Sequence, residues 1–551
     1  MSSTSSTNNI RVVAAIDFGT TYSGFACAHK NSPKEIYVQD FEGSFKTPTV
    51  LKYDNDFYKV ISWGIPALAE RTNRRKNNAD DSKPVELFKL HLGNIKENPY
   101  LPGGLDYKKA ITDYLHEIGE MMKAYLKKTY KSLDFFDQVL VILTVPAEFN
   151  NDAILIMRDC AFKAELTNAR NSRNLKFITE PEAAAVHCMN FLSGNGIKTE
   201  DSFMIVDCGG GTVDLTTRQI LLGNTLSEIT ERVGGYCGSS FIDKRFIGFL
   251  EGQFGKSAID ILKKNHYRQL QYLVQEFCNR IKLPFTGEPF QDDDEVELDI
   301  EELCPVLKQY CRNSEFFNKM EESEWIIVLT HKDVKDMFDP IIAEIIRLIR
   351  GQLNSISNCS AIILVGGFSE SKYLQKRIKQ EFQHKLKNIS VPRNPMAAVV
   401  KGAVEYGMNE HVITSRILKW TYGTDIAREW EPTNDPPSKK LSNGMVKAFY
   451  TLAKRGTYLT KATTTFRPYT LFQKKVSFNI YTTPDNEADA KYIGDNDVKL
   501  LNEWEIDIPI LKDFDDQTIL LTLNFSNVEI LATAENLKTK DRYQITFNYE
   551  V

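Results

Sequence analysis

The 551-residue sequence contains no Cys-x-x-Cys pair and no His-Glu-x-x-His segment, and its nine cysteines are odd in number and scattered. These gaps argue for reduced thiols and against structural zinc, zinc hydrolysis and catalytic thiol chemistry. Charge of one sign is also lacking. The 68 Lys and Arg nearly balance the 73 Asp and Glu, leaving a net charge of −5, so nucleic-acid and membrane surfaces are not expected as partners. No run of eighteen apolar residues occurs, so no membrane span is predicted; the scattered cysteines are what point to a reduced, cytoplasmic setting. Met1 to Asn9 has neither a basic start nor an apolar stretch; it reads as a disordered tail rather than a signal peptide. A P-loop is missing as well. Gly255-Lys256-Ser257 ends like one, but Leu250 stands where the first glycine belongs and the preceding residues read as helix.

What is present centres on Phe203 to Thr217, Phe-Met-Ile-Val-Asp-Cys-Gly-Gly-Gly-Thr-Val-Asp-Leu-Thr-Thr. It reads as strand, tight turn, strand. Gly209, Gly210 and Gly211 let another group approach the backbone closely, and successive N–H groups in such a turn cradle phosphate. Asp207 and Asp214 bracket the turn, placed to hold a hydrated Mg²⁺. Cys208 within it reads as a small core residue. The pattern occurs twice: Val12 to Asp17 is a second apolar strand ending in Asp, followed by Phe18-Gly19-Thr20-Thr21-Tyr22 and a strand resuming at Gly24. Two such loops facing each other would clamp a polyphosphate from both sides.

Around these loops the chain alternates helix and strand. Ile111, Leu115, Ile118, Met122 and Leu126 have helical spacing, and Val139 to Val145 is a continuous apolar run typical of a buried strand. Asn150 or Asn151 caps the next helix. Leu175 to Thr179 is a strand, and Glu180-Pro181 opens a helix, with Glu180 a candidate to orient a water or metal-bound water and a capping residue as the rival reading. Ile229 to Val233 reads as a strand, followed by a third Gly-rich turn, Gly234 to Ser240, and a helix from Phe241. Tyr267 to Lys282 is helical, and Asp333 caps an amphipathic helix to Leu353. Ala361 to Val365 is a strand ending in Gly366-Gly367-Phe368-Ser369, with a helix from Glu370, an arrangement where nucleotides sit. Lys89 lies in an apolar setting, where a lysine needs a partner; a phosphate is one, and a plain surface position is the alternative. Arg71 to Lys76 is basic and reads as a solvated loop. After His411 helical spacing stops and seven β-rich segments follow, with Arg428 to Ser442 a Pro- and charge-rich loop.

Taken in order, Ile16 to Ala26, Val145 to Asn150, Thr179 to Ala185, Ile205 to Leu215, Gly234 to Phe241 and Ile363 to Ser371 resemble the seventy-kilodalton heat-shock chaperone family, and more particularly its divergent twelve-type branch. The resemblance implies a two-lobed α/β actin-like ATPase over 10–410, a linker over 411–416 and a β-sandwich peptide-binding domain over 417–551 with no helical lid. It implies ATP or ADP with Mg²⁺ as cofactors. Asp17, Asp207 and Asp214 match the family's metal-site acids, mostly acting through water, and Lys89, Glu180, Asp207 and Thr212 its catalytic set. Gly19, Thr20, Thr21 and Tyr22, with Gly209, Gly210, Gly211, Thr212 and Gly238, match the phosphate binders. Gly366, Gly367 and Ser369, and more loosely Glu276 and Arg280, match the adenosine side. Asn279 and Met396 depart from the family pattern there, and the family's apolar linker is not visible in Gly407 to Ile413. The functional expectation is a slowly hydrolysing, chaperone-like ATPase that binds unfolded or extended polypeptide, with co-chaperones or one specific protein as further partners. The alternatives are a nucleotide-gated adaptor and, ranked lower, a small-molecule kinase.

Overall fold

The computed structural model describes residues 9–68, 83–93, 95–194, 196–289, 295–312, 314–386, 388–466, 474–485, 492–508, 518–525 and 528–546. Most of the expected N-terminal tail, the basic run Arg71 to Lys76 and the last residues of the chain lie outside these. The chain divides into two compact units, one comprising residues up to Thr216 with Val233–Asn409, the other Thr217–Arg232 with Glu410–Val551.

The first unit contains two sheets built on the two Asp-Gly loops. In the first sheet the order is Tyr37–Val38, Tyr22–His29, Val12–Asp17, Val139–Val145, Leu175–Thr179. Val12–Asp17 runs antiparallel to Tyr22–His29 and parallel to Val139–Val145. Both central strands are buried at every residue, which is why they read as unbroken apolar runs rather than alternating ones. The second sheet repeats the device. Asn388–Ser390, Ala361–Val365, Ser202–Cys208 and Val213–Leu221 follow in order, and Val233–Gly235 pairs with the start of the last. Helix Pro395–Met408 joins the two halves. Near its start, Met396 lies 3.9 Å from a Cβ placed on Gly367. Towards its end, a Cβ on Gly407 would be 2.4 Å from Val13 Cγ1. Gly402 lets it touch helix Glu180–Gly194, since a Cβ there would be 1.7 Å from Ala183 O.

Several boundaries differ from the sequence reading. Ile229 to Val233 is not one strand: Thr225–Glu228 and Val233–Gly235 are separate. The β-branched residues favour a strand, but Glu228 turns fully inward onto Arg218 and Arg232. Helix Tyr267–Phe277 widens into a π-turn at Cys278–Lys282, which buries Lys282 against Asp243 at 2.5 Å. Thr330, not Asp333, is the N-cap of helix His331–Asn354; Asp333 is its reciprocal partner three residues on, closing a capping box. Gly367–Glu370 is a 3₁₀ turn, and Ser371 caps the α-helix Lys372–Phe382.

The second unit holds two four-stranded antiparallel sheets. One has the order Met445–Ala453, Thr421–Glu429, Lys475–Thr483, Lys499–Asp507; the other Lys461–Phe466, Ile519–Asn524, Leu531–Asn536, Arg542–Thr546. Residues alternate between buried and less buried along Ile519–Asn524 and Leu531–Asn536. The inward positions of both sheets, Phe478, Ile480, Leu521 and Ala532 among them, form one apolar cluster. Arg428 and Glu429 still belong to a strand, so the expected loop begins after them; the Arg428 guanidinium holds Asp435 at 2.6 Å. Among the described residues no α-helix follows Met408.

The expected linker residues are not a free tether. Glu410–Val412 is a 3₁₀ turn and Ile413–Ser415 a short strand parallel to Thr225–Glu228. Glu228, fully buried, is 3.1 Å from Arg218 Nη2 and 3.3 Å from Arg232 Nε, and it accepts the Ile417 N–H at 2.8 Å.

Candidate phosphate and metal site

The site forms where the strands Val12–Asp17 and Ser202–Cys208 end. Parallel pairing sets Asp207 opposite Val365 at the start of the Gly366 turn. The glycines there are required by crowding. A Cβ on Gly210 would lie 2.0 Å from Thr21 Oγ1, one on Gly211 2.5 Å from Thr20 Oγ1, and one on Gly238 2.4 Å from Gly210 O. Gly366 adopts φ +81 and would put a Cβ 2.3 Å from Asp207 Oδ1. The third Gly-rich turn folds onto the second, with Gly238, Ser239 and Ser240 donating N–H groups to the carbonyls of Gly211, Gly209 and Gly210. The first loop is braced from below: Gly19 N–H donates to Ser23 Oγ (3.1 Å), Ser23 Oγ meets Thr49 Oγ1 (2.7 Å), and Thr49 Oγ1 donates to Gly19 O (2.9 Å).

Four carboxylates converge here, all buried: Asp17, Glu180, Asp207 and Asp214. Asp17 Oδ1 accepts from Thr144 Oγ1 at 2.9 Å, and its Oδ2 is 2.7 Å from Lys46 Nζ. Asp214 Oδ1 accepts the Ala147 N–H at 2.8 Å, while its Oδ2 is buried with no hydrogen-bond partner among the described residues. Lys89 is no surface lysine. Held in the 3₁₀ turn Phe88–Leu92 at 2 % exposure, it donates to Phe18 O at 2.5 Å and to Glu180 Oε1 at 2.7 Å. Its ammonium also lies over the rings of Phe18 and Phe149.

Four carboxylates against two ammonium groups leave an excess of negative charge, and the acids respond. Burial, then neighbouring Glu180, pushes Asp207 well above the usual carboxylate range. Burial, with Glu180 again the largest charge contribution, lifts Asp214 to about 7, although the Thr212 side chain and the Ala147 N–H pull it back. Glu180 is itself raised by burial, opposed by Lys89. Burial and Asp207 also raise the Cys208 thiol far above its ordinary value, so it is no nucleophile. An uncompensated carboxylate oxygen, surplus negative charge and a cramped glycine cradle are what a divalent cation carrying a phosphate chain fits.

Of the sequence-derived residues, Asp17, Gly19, Thr20, Thr21, Lys89, Glu180, Asp207, Gly210, Gly211, Thr212, Asp214, Gly238 and Gly366 come together. Ser369 is buried and donates to Gly366 O at 2.6 Å. Tyr22 is about half exposed and opens the strand that leaves the loop. Glu276 and Arg280, expected on the adenosine side, lie on helix Tyr267–Phe277 and the π-turn after it, where Arg280 is exposed and donates to Glu297 O at 3.1 Å. Lys46, Thr144, Ser23 and Thr49 were missed. Ser23 lies within the first loop segment but carries no Gly or Asp signal; Thr144 is brought in by the parallel pairing of Val139–Val145 with Val12–Asp17, and Lys46 and Thr49 by the pairing of Thr47–Pro48 with Tyr22–Ser23 and by the Thr49 N–H donating to Thr21 O.

No family model matches the chain. It is 25% identical to Heat shock 70 kDa protein 12A of Mus musculus, across 98% of this chain and 91% of that protein. It is 24% identical to Heat shock 70 kDa protein 12B of Homo sapiens with the same coverage. It is also 24% identical to Chaperone protein DnaK of Thermotoga neapolitana, over 71% of this chain and 58% of that protein. With the duplicated Asp-Gly loops and the near full-length match, the chain is similar to the 70 kDa heat-shock protein family. The similarity runs nearly from end to end with the 12-type proteins, and over a shorter stretch with DnaK.

Proposed function

We propose that the chain is a chaperone-like ATPase that binds ATP or ADP with Mg²⁺ between the two Asp-Gly loops, hydrolyses ATP slowly and binds extended polypeptide on its second unit. The observation that carries the nucleotide half is the convergence of four buried carboxylates and Lys89 on two facing glycine turns. Thr20, Thr21, Gly210, Gly211 and Thr212 line the phosphate cradle. Asp17, Asp207 and Asp214 would hold a hydrated Mg²⁺, which when bound neutralises phosphate charge. Lys89, fixed by Phe18 O and Glu180, presents a positive charge beside the phosphates at no reorganisation cost, and such preorganised charge is the main lever in phosphoryl transfer. Asn279 and Met396 weaken the expected adenine contacts. Family kinship with DnaK, a protein named as a chaperone, supports the polypeptide half.

The two sheets sharing one apolar core fit a β-sandwich, and one flank suits an added strand. A cavity of about 470 Å³ is lined by Ile426, Phe449, Tyr450 and Leu452 along strand Met445–Ala453. Tyr450 is exposed there. The first part of that edge is already used, since Ala448 bridges to Tyr492 and the Ile493 N–H donates to Lys447 O.

Single-turnover ATP hydrolysis, with and without an extended apolar peptide, tests this reading with Thr212→Ala as control. Acceleration by peptide that Thr212→Ala abolishes supports a coupled chaperone. Hydrolysis indifferent to peptide moves the adaptor reading ahead, and no ATP binding refutes the nucleotide half.

A further inference from the structure

Lys46 is the one member of the charge cluster that no motif announced. Its side chain is 11% exposed, and its Nζ sits 2.7 Å from Asp17 Oδ2. Asp17's other oxygen is already held by Thr144. The backbone on either side of Lys46 is fixed to the first phosphate loop. Thr47 and Pro48 pair with Ser23 and Tyr22, and a Cβ on Gly24 would lie 2.5 Å from Phe45 O and 3.3 Å from Lys46 Cγ. Gly24 therefore clears the space that the Lys46 stem occupies. The two ammonium groups hold different acids, Lys89 at Glu180 and Lys46 at Asp17, so the cluster is gripped by a cation from each of two separate segments.

Resting on the nucleotide reading above, we propose that Lys46 is a second phosphate-binding lysine, which shares Asp17 with the metal and supplies part of the positive charge that a nucleoside di- or triphosphate requires. An ammonium is a compact point charge on a flexible stem, with three donors. It can stay paired with the Asp17 carboxylate while an N–H reaches an incoming phosphate oxygen. A metal-bound nucleotide gains little from the extra charge; a metal-free one depends on it. Removing Lys46 therefore steepens the dependence of nucleotide affinity on Mg²⁺.

The test is titration of fluorophore-labelled ADP into the full chain, once with Mg²⁺ and once with EDTA, for wild type, Lys46→Gln and Lys46→Arg. The readout is the ratio of the two dissociation constants. Loss of one charge-assisted hydrogen bond predicts that Lys46→Gln widens this ratio by about tenfold or more, whereas Lys46→Arg, which keeps the charge, stays within about threefold of wild type. An unchanged ratio in Lys46→Gln overturns the proposal, as does equal widening in both variants, which assigns the effect to shape. A Lys46→Gln chain that does not fold makes the lysine a stability element and overturns it equally. Wild type that binds ADP under neither condition refutes the nucleotide reading itself, a result separable from the others.

Discussion

Neutralising Asp214 should stabilise the ligand-free protein at neutral and alkaline pH and do the opposite in acid. Its carboxyl is lifted to about 7 from an ordinary 3.8, first by burial and then by Glu180. A carboxyl raised in the folded state holds its proton more tightly there than in the unfolded chain. Its contribution to stability is thus complete below about pH 4 and is lost as pH climbs to about 7. Three pH units at about 1.4 kcal/mol each put the ceiling on the order of 4 kcal/mol. Asp207 and Glu180 are shifted in the same direction and add to the trend. Asp214→Asn removes the ionisation and keeps an oxygen for the Ala147 N–H, but leaves a buried amide nitrogen whose desolvation costs about 1–3 kcal/mol. The net expected gain at pH 8 is about 1–3 kcal/mol. Thermal midpoints of the full chain in EDTA should therefore rise in Asp214→Asn at pH 8 and match or fall below wild type at pH 5. Mg²⁺ with ADP should close the gap at pH 8 by stabilising wild type more. An Asp214→Asn midpoint lowered equally at both pH values would refute the reasoning.

Two further outcomes follow from geometry alone. Gly366→Ala forces a side chain into φ +81 and to 2.3 Å from Asp207 Oδ1, whereas a Cβ on Gly209 meets nothing nearer than Thr212 O at 3.1 Å; labelled-ADP affinity should fall by about tenfold or more in the first and stay within about threefold in the second, and equal losses would contradict the crowding argument. Glu228→Ala leaves Arg218 buried without this carboxylate, a change worth about 3–5 kcal/mol; it should speed proteolysis of Glu410–Ser415, mapped by mass spectrometry, and cleavage at the wild-type rate would show that the ion pair does not hold this strand.

The glycine loops were legible because they are local: one turn needs its glycines and its acid within a few residues, so sequence spacing carries the geometry. Lys89 was half legible, since an apolar setting says that a lysine needs a partner but not which one. Lys46 was illegible for the opposite reason. Its partner Asp17 is twenty-nine residues away, and the antiparallel pairing that joins them is very short. Asp333 was read as a cap because acids favour helix starts, yet Thr330 takes that place and uses Asp333 as its partner. Ile229 to Val233 misled because β-propensity weighs side-chain shape and does not see a buried glutamate pulling the chain into a turn. The expected linker, 411–416, was judged by its missing apolar character. What fixes it is a backbone ladder and one buried carboxylate ten residues from its arginine, neither of which leaves a mark on hydropathy.

The boundary between the two units is not a point on the chain. The hairpin Thr217–Arg232 belongs with the residues that follow Asn409, although nearly two hundred residues separate them in sequence. A fragment stopped at Asn409 would keep Glu228 and Arg218 but discard the Ile417 N–H and the strand Ile413–Ser415 that cover them. A fragment begun at Glu410 would lack the strand its first residues lie against. Each piece made by a single cut would carry an unfinished edge, so biochemical work on isolated halves would measure the wound as well as the part. A faithful dissection needs two cuts and a graft, with the hairpin carried over to the C-terminal half.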